Sequence, residues 1–128
     1  MSAHREAALP LDGARVLVVE DEFIVSLELQ MILADAGADV VGPCRTAQDA
    51  FSLLDQDGLS AALLDLRLGE ATSVPVAREL ERRGIPFVFY TGQANTEPIL
   101  AEWPESKVLA KPAAAQTIVE AVADLLAR

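Results

Sequence analysis

The sequence predicts an α/β domain of three layers, a doubly wound parallel sheet built as (βα)5. Two observations predict it. Short, wholly apolar, β-branched runs alternate five times with segments whose apolar residues recur at helical spacing. The connections between them are short, and strict alternation of that kind buries a parallel sheet between helices on both faces. At 128 residues the chain has room for one such core.

Residues 1–13 are polar and alanine-rich and include Pro10 and Gly13, which reads as a flexible leader before a domain over 14–128. Val16–Val19 is the first strand, apolar throughout as a strand covered on both faces must be. Phe23, Leu27, Met31, Leu33 and Ala34 then recur at helical spacing, and Gly37 supplies a C-cap. A second short strand covers Asp39–Gly42 and is expected to close at Pro43. Thr46 can N-cap a helix carrying Ala50, Leu53 and Leu54. Ser60–Leu64 is a third strand that runs straight into Asp65. Val74–Arg83 is helical and stops at Gly84. Ile85–Tyr90 is a fourth strand, with Pro86 near its start, where a missing N–H costs least. A short helix around Glu97–Glu102 follows, then a fifth strand at Lys107–Ala110, a Lys111-Pro112 turn and a last helix over Ala113–Ala127. Trp103 reads as a half-exposed packing residue.

Composition narrows the function. The formal charge of −10 argues against direct nucleic-acid binding, which needs a basic patch. No apolar run approaches the ~20 residues of a membrane span, and the N-terminus lacks the pattern of a signal peptide. The single cysteine, Cys44, excludes an internal disulfide and a thiolate zinc site, which fits a cytoplasmic protein. His4 falls in the leader and is given no role.

In parallel α/β sheets ligands bind beyond the carboxyl ends of the strands, where the winding direction reverses. The residues expected there are Glu20 and Asp21 after the first strand, Asp65 after the third, Thr91 after the fourth and Lys111 after the fifth. A lone Asp after a strand is usually a turn former and a lone Thr or Lys is usually inert. Five chemically loaded residues at one edge reverse that reading. Three converging carboxylates repel unless a cation sits among them, and hard oxygen ligands suit Mg²⁺. A hydroxyl and an ammonium add a donor and a positive charge for phosphoryl oxygens, and phosphoryl transfer is largely positioning and charge neutralisation. A carboxylate nucleophile would give an aspartyl-phosphate.

Taken together, VLVVEDE at 16–22, ALLDLRLG at 62–69, FVFYTG at 87–92 and AKP at 110–112 resemble the receiver domains of two-component response regulators, over Arg15 to Ala127. The resemblance implies a flavodoxin/CheY-like sheet of strand order 2-1-3-4-5. It implies Asp65 as phospho-acceptor, with Mg²⁺ held by Asp21, by Glu20 largely through water, by Asp65 and by the backbone carbonyl of Arg67. Thr91 and Lys111 would bond phosphoryl oxygens, and the Lys111-Pro112 peptide would be cis. Glu22 is expected to start the first helix, where an acid suits the dipole. Partners would be a sensor histidine kinase or a histidine phosphotransferase, and a downstream protein.

The departures matter too. Many receivers carry an aromatic residue three positions before the lysine that swings inward on activation; here Val108 stands there and cannot make that movement. PFVFYTGQ at 86–93 is similar to the Pro-Phe-x-Phe-Ala-Thr-Gly-Tyr signature of the FAT GUY receiver subfamily, which lacks that aromatic. Tyr90 and Gln93 replace its Ala and its Tyr. That likeness implies kinases of the HWE/HisKA2 type. Arg67 and Gln93 lie where side chains flank the attacking water in this family, and Tyr90 is a candidate for part of the missing lever. With Arg128 the last residue, output is expected by partner contact or as a phosphate shuttle or sink. Two other classes compete. An aspartyl phosphohydrolase would need a second Asp two residues after the nucleophile, where Arg67 stands. A pseudo-receiver interaction module would be expected to have lost Asp65 or Lys111, and both are present.

Overall fold

A computed structural model describes residues 8–56, 58–92, 97–104 and 107–127. The elements in chain order are β1 (Arg15–Val19), α1 (Phe23–Asp35), β2 (Asp39–Cys44), α2 (Ala47–Leu53), β3 (Ala61–Leu64), β4 (Arg67–Leu68), β5 (Ala71–Thr72), α3 (Val74–Arg82), β6 (Phe87–Thr91), a 3-10 turn (Pro98–Glu102), β7 (Val108–Ala110) and α4 (Ala115–Leu126). Five strands form one sheet in the order β2-β1-β3-β6-β7, every pair parallel. With β6 and β7 as the expected fourth and fifth strands, this is the anticipated 2-1-3-4-5 winding. Its direction reverses between β1 and β3.

Alternation along each strand sorts the core into two layers. Leu17 and Val19, Ala62 and Leu64, and Phe87 and Phe89 face one way and meet Ala50 and Leu54 of α2 and Val76, Ala77 and Leu80 of α3. Val16 and Val18, Ala61 and Leu63, and Val88 and Tyr90 face the other way and meet Leu29 and Leu33 of α1 and Ile118, Val122 and Leu125 of α4. Double coverage is why β1, β3 and β6 are apolar at nearly every position and buried nearly throughout.

Several local expectations hold in detail. Thr46 Oγ1 accepts the Asp49 N–H at 3.1 Å and caps α2. Gly37 ends the first helix at φ 102, where its own N–H and that of Ala38 return to Ala34 and Leu33. A Cβ there would run into the Asp12 side chain. Lys111-Pro112 is cis.

Others are corrected. β2 does not close at Pro43 but continues through it to Cys44, with a register shift opposite Leu17–Val19; as an edge strand it tolerates a residue without an N–H. The antiparallel hairpin of β4 and β5 was not anticipated, since two-residue strands leave no periodicity to read. The fourth strand begins two residues later than expected, at Phe87. Trp103 is buried rather than half-exposed: it packs edge-on against Phe87 and Phe89, and its indole N–H donates to Glu81 at 2.8 Å.

Of the apolar residues that marked the first helix, Phe23, Leu27 and Met31 are exposed, along with Ile24; its buried face is Ser26, Leu29 and Leu33. In the stretch assigned to the leader, Leu11 is fully buried in the α1–α4 layer, and its N–H donates to Ala36 O at 2.8 Å. Residues 1–7, including His4, lie outside the described residues. Among the described residues no helix is long and apolar enough to cross a membrane.

Candidate functional site

Sheet ladders deliver the chemistry to one edge. The Asp65 N–H donates to Val19 O at 2.8 Å, the Glu20 N–H to Cys44 O at 2.8 Å, and the Lys111 N–H to Thr91 O at 3.0 Å. Each pins a residue one step beyond its strand. The side chains of Glu20, Asp21 and Asp65 then offer oxygens that all lie within 4.8 Å of one another, at the point where the winding reverses. Glu20 is fully buried, Asp65 nearly so, and Asp21 partly exposed.

Lys111 is the counter-charge. Its ammonium lies 2.9 Å from Glu20 Oε1, 3.2 Å from Asp65 Oδ2 and 3.0 Å from Glu22 Oε1. Burial alone would make it easier to deprotonate, but Glu20 and Glu22 outweigh that and hold its pKa above the ordinary lysine value. Glu20 goes the opposite way. Burial first, and Asp65 second, raise its carboxyl from 4.5 to about 7, against the stabilising contribution of Lys111. The ammonium approaches Glu20 Oε1 electrostatically and not along a well-directed hydrogen bond, so this buried oxygen keeps unmet acceptor capacity.

Backbone donors orient the acids. Glu20 Oε2 accepts the Glu22 N–H at 3.1 Å, and Asp21 Oδ2 accepts the Gly69 N–H at 2.8 Å. The second bond ties the loop after Asp65 to the end of β1. Three carboxylates around one ammonium, with Asp21 beside Glu20 and Asp65 and the latter two out of solvent, suit a hard divalent cation. Glu20, Asp21 and Asp65 fit Mg²⁺ by donor chemistry and mutual distance.

The remaining expected residues are placed as follows. Thr91 is fully buried at the end of β6, the strand beside β3. Arg67 sends its exposed guanidinium to Glu97, at 2.7 and 2.8 Å from the two carboxylate oxygens, bridging the loop after Asp65 to the start of the 3-10 turn. Val108 is half-buried, opposite Phe89 in register and packed on the α2–α3 layer. Tyr90 is buried in the other layer. Pro112 is exposed, and Gln93 lies outside the described residues.

Glu22 is the site residue that the sequence reading passed over. It is the N-cap residue of α1, as its position suggested, but without a side-chain cap bond; its carboxylate goes to Lys111 instead. The signal was the Glu20-Asp21-Glu22 triplet itself, more negative charge than one helix start needs.

The family model of the response regulator receiver domain matches residues 16–123. The chain belongs to that family. This receiver domain is 28% identical over 87 residues to the transcriptional regulatory protein PdtaR of Mycobacterium tuberculosis, a match covering 67% of this chain and 41% of the relative. It therefore spans less than half the length of that relative. The response regulator receiver protein from Sinorhizobium medicae shares 26% identity at a TM-score of 0.78, over 91% of this chain and 97% of that one. The receiver domain of Erythrobacter litoralis PhyR has the same fold at 19% identity and a TM-score of 0.79, covering 90% and 91%. The family places the receiver domain in two-component signalling.

Proposed function

We propose that this receiver domain accepts a phosphoryl group on Asp65 from a sensor histidine kinase or a histidine phosphotransferase, and that the modification changes its binding to a downstream protein. The observation that carries this reading is the convergence of Glu20, Asp21 and Asp65 within 4.8 Å, with the Lys111 ammonium 3.2 Å from Asp65. Asp65 Oδ would form the new bond to phosphorus as the donor's N–P bond breaks, the imidazole leaving with the bonding pair. Lys111 would pair with one phosphoryl oxygen and the Thr91 hydroxyl with another. Glu20, Asp21, Asp65 and the Arg67 carbonyl would hold Mg²⁺, which neutralises charge on the phosphoryl oxygens when bound. Burial of Asp65 limits the access of water to the acyl-phosphate.

Phe23, Ile24, Leu27 and Met31 leave an apolar strip on α1, the helix that begins just after the acidic triplet. Surfaces of that kind are buried by protein partners, which supports a reading through protein contact. The kinase class suggested by the 86–93 segment is HWE/HisKA2, and the compartment is the cytoplasm.

The test is beryllofluoride with Mg²⁺, followed by amide hydrogen exchange, on the wild type and on Asp65→Ala. Protection gained around Thr91 and Lys111 in the wild type and absent in Asp65→Ala supports the reading. No Mg²⁺-dependent response would leave an interaction module without phosphate chemistry.

A further inference from the structure

Tyr90 and Thr91 are neighbours on β6, and the alternation of the strand sends their side chains to opposite faces. The Tyr90 ring lies in the layer under α1 and α4 and is 5% exposed. Its hydroxyl accepts the backbone N–H of Ala113 at 3.1 Å, and the centre of its ring is 5.7 Å from Lys111 Nζ. The turn that carries Lys111 is thus held from both sides. Upstream, the Lys111 N–H donates to Thr91 O; downstream, past a Pro112 that has no N–H to give, Ala113 is tied to Tyr90. α4 starts only at Ala115.

A tether matters here because Lys111 has a choice of partners. Glu20 and Asp65 are buried, whereas the Glu22 side chain is 61% exposed at a comparable distance of 3.0 Å. Lysine is a flexible point charge with no preorganised fork, so small movements of its backbone shift the balance between these partners. A turn released at Ala113 lets the ammonium follow Glu22 outward, away from the acceptor.

We propose that Tyr90 is a positioning residue for Lys111: its hydroxyl and ring fix the 111–113 turn so that the ammonium stays over Asp65 during phosphoryl transfer. The inference rests on the reading of Asp65 as acceptor.

The test compares wild type, Tyr90→Phe, Lys111→Ala and the double variant, each incubated with acetyl phosphate over a range of Mg²⁺, with phosphoprotein counted by intact mass. Tyr90→Phe keeps the ring and loses the hydroxyl. Losing one such hydrogen bond predicts a saturated rate about fivefold lower, the equivalent of ~1 kcal/mol. The Mg²⁺ concentration for half-maximal rate does not rise, because the hydroxyl's partner is Ala113 and not a carboxylate of the site, and an ammonium drawn toward Glu22 leaves less positive charge beside Glu20 and Asp65. The double variant reacts at the rate of Lys111→Ala, since a residue acting through Lys111 has nothing left to position; a general loosening of the fold would instead multiply the two losses. Tyr90→Phe at the wild-type rate, an equal loss in the Lys111→Ala background, or a raised Mg²⁺ midpoint overturns the inference while Asp65 remains the acceptor. Wild type that takes up no phosphoryl group overturns the acceptor reading and the inference with it.

Discussion

Replacing Asp65 by Asn is expected to stabilise the metal-free domain, although it abolishes the proposed chemistry. Asp65 lies among two like charges within 4.8 Å and one ammonium at 3.2 Å, and is almost out of solvent. At an effective dielectric of ~20, each repulsion is worth at least ~3 kcal/mol and the attraction ~5 kcal/mol. The balance is against the charge, and Lys111 keeps Glu20 and Glu22 when Asp65 is neutralised. At about pH 8, where Glu20 is ionised, Asp65→Asn should therefore gain on the order of 1–2 kcal/mol in EDTA and raise the melting midpoint by ~3–8 °C. Glu20 sets the pH dependence. Its carboxyl is raised from 4.5 to about 7, so between those values the folded chain holds a proton that the unfolded chain has released. That contribution to stability is full below 4.5 and is lost as pH rises through about 7. Asp65 is the second cause of the raised value, so the gain from Asp65→Asn is larger at about pH 8 than at about pH 5.5. Urea unfolding of both proteins in EDTA at the two pH values measures it. An Asp65→Asn variant no more stable than wild type at the higher pH, or a gain that does not shrink at the lower one, refutes the electrostatic account of the site.

Further expectations can be checked on the same footing. Leu11→Ala should cost ~2–4 kcal/mol in urea unfolding, because Leu11 is fully buried against the α1–α4 layer; a loss below ~0.5 kcal/mol would place it outside the core. On α1, Leu29→Ala should cost a similar ~2–4 kcal/mol and Met31→Lys less than ~0.5 kcal/mol, the reverse order contradicting the assigned faces. The Cys44 thiol is pushed up to about 11 by burial and then by Asp49. It stays protonated at about pH 8, and a thiol reagent should react on the order of a hundredfold more slowly than with unfolded chain. Equal rates would show an accessible, ionised thiol. Glu97→Gln breaks an exposed pair with Arg67 and should change stability by less than ~1 kcal/mol, with the difference shrinking in high salt.

The sheet was legible because burial on both faces forces apolar residues at nearly every position of β1, β3 and β6, a signal that needs no tertiary information. The polar edge of the sheet was legible for a related reason: Glu20, Asp65, Thr91 and Lys111 each lie at or just past the end of a strand, so topology alone brings them together. The buried face of α1 was not legible. Phe23, Ile24, Val25, Leu27, Leu29, Met31, Ile32 and Leu33 place apolar groups on every side of that helix, and only the packed structure selects Leu29 and Leu33. Pro43 looked like a strand stop because a residue without an N–H usually ends a ladder, although an edge strand can carry one on its unpaired side. Leu11 is hidden by Pro10 and Gly13, whose turn propensity masks an apolar anchor. The bonds between Tyr90 and Ala113 and between Arg67 and Glu97 join residues 23 and 30 positions apart, a strand residue to one outside any strand in each case, where no local pattern exists to reveal them.

The central claim is that Asp65 itself carries the phosphoryl group. Reductive trapping with borohydride after treatment with acetyl phosphate and Mg²⁺ converts an aspartyl-phosphate to homoserine, which peptide mass spectrometry locates. The account predicts conversion at Asp65 alone, dependent on Mg²⁺ and abolished in Asp65→Ala. Conversion at another acidic residue, or none in a folded protein, would contradict it.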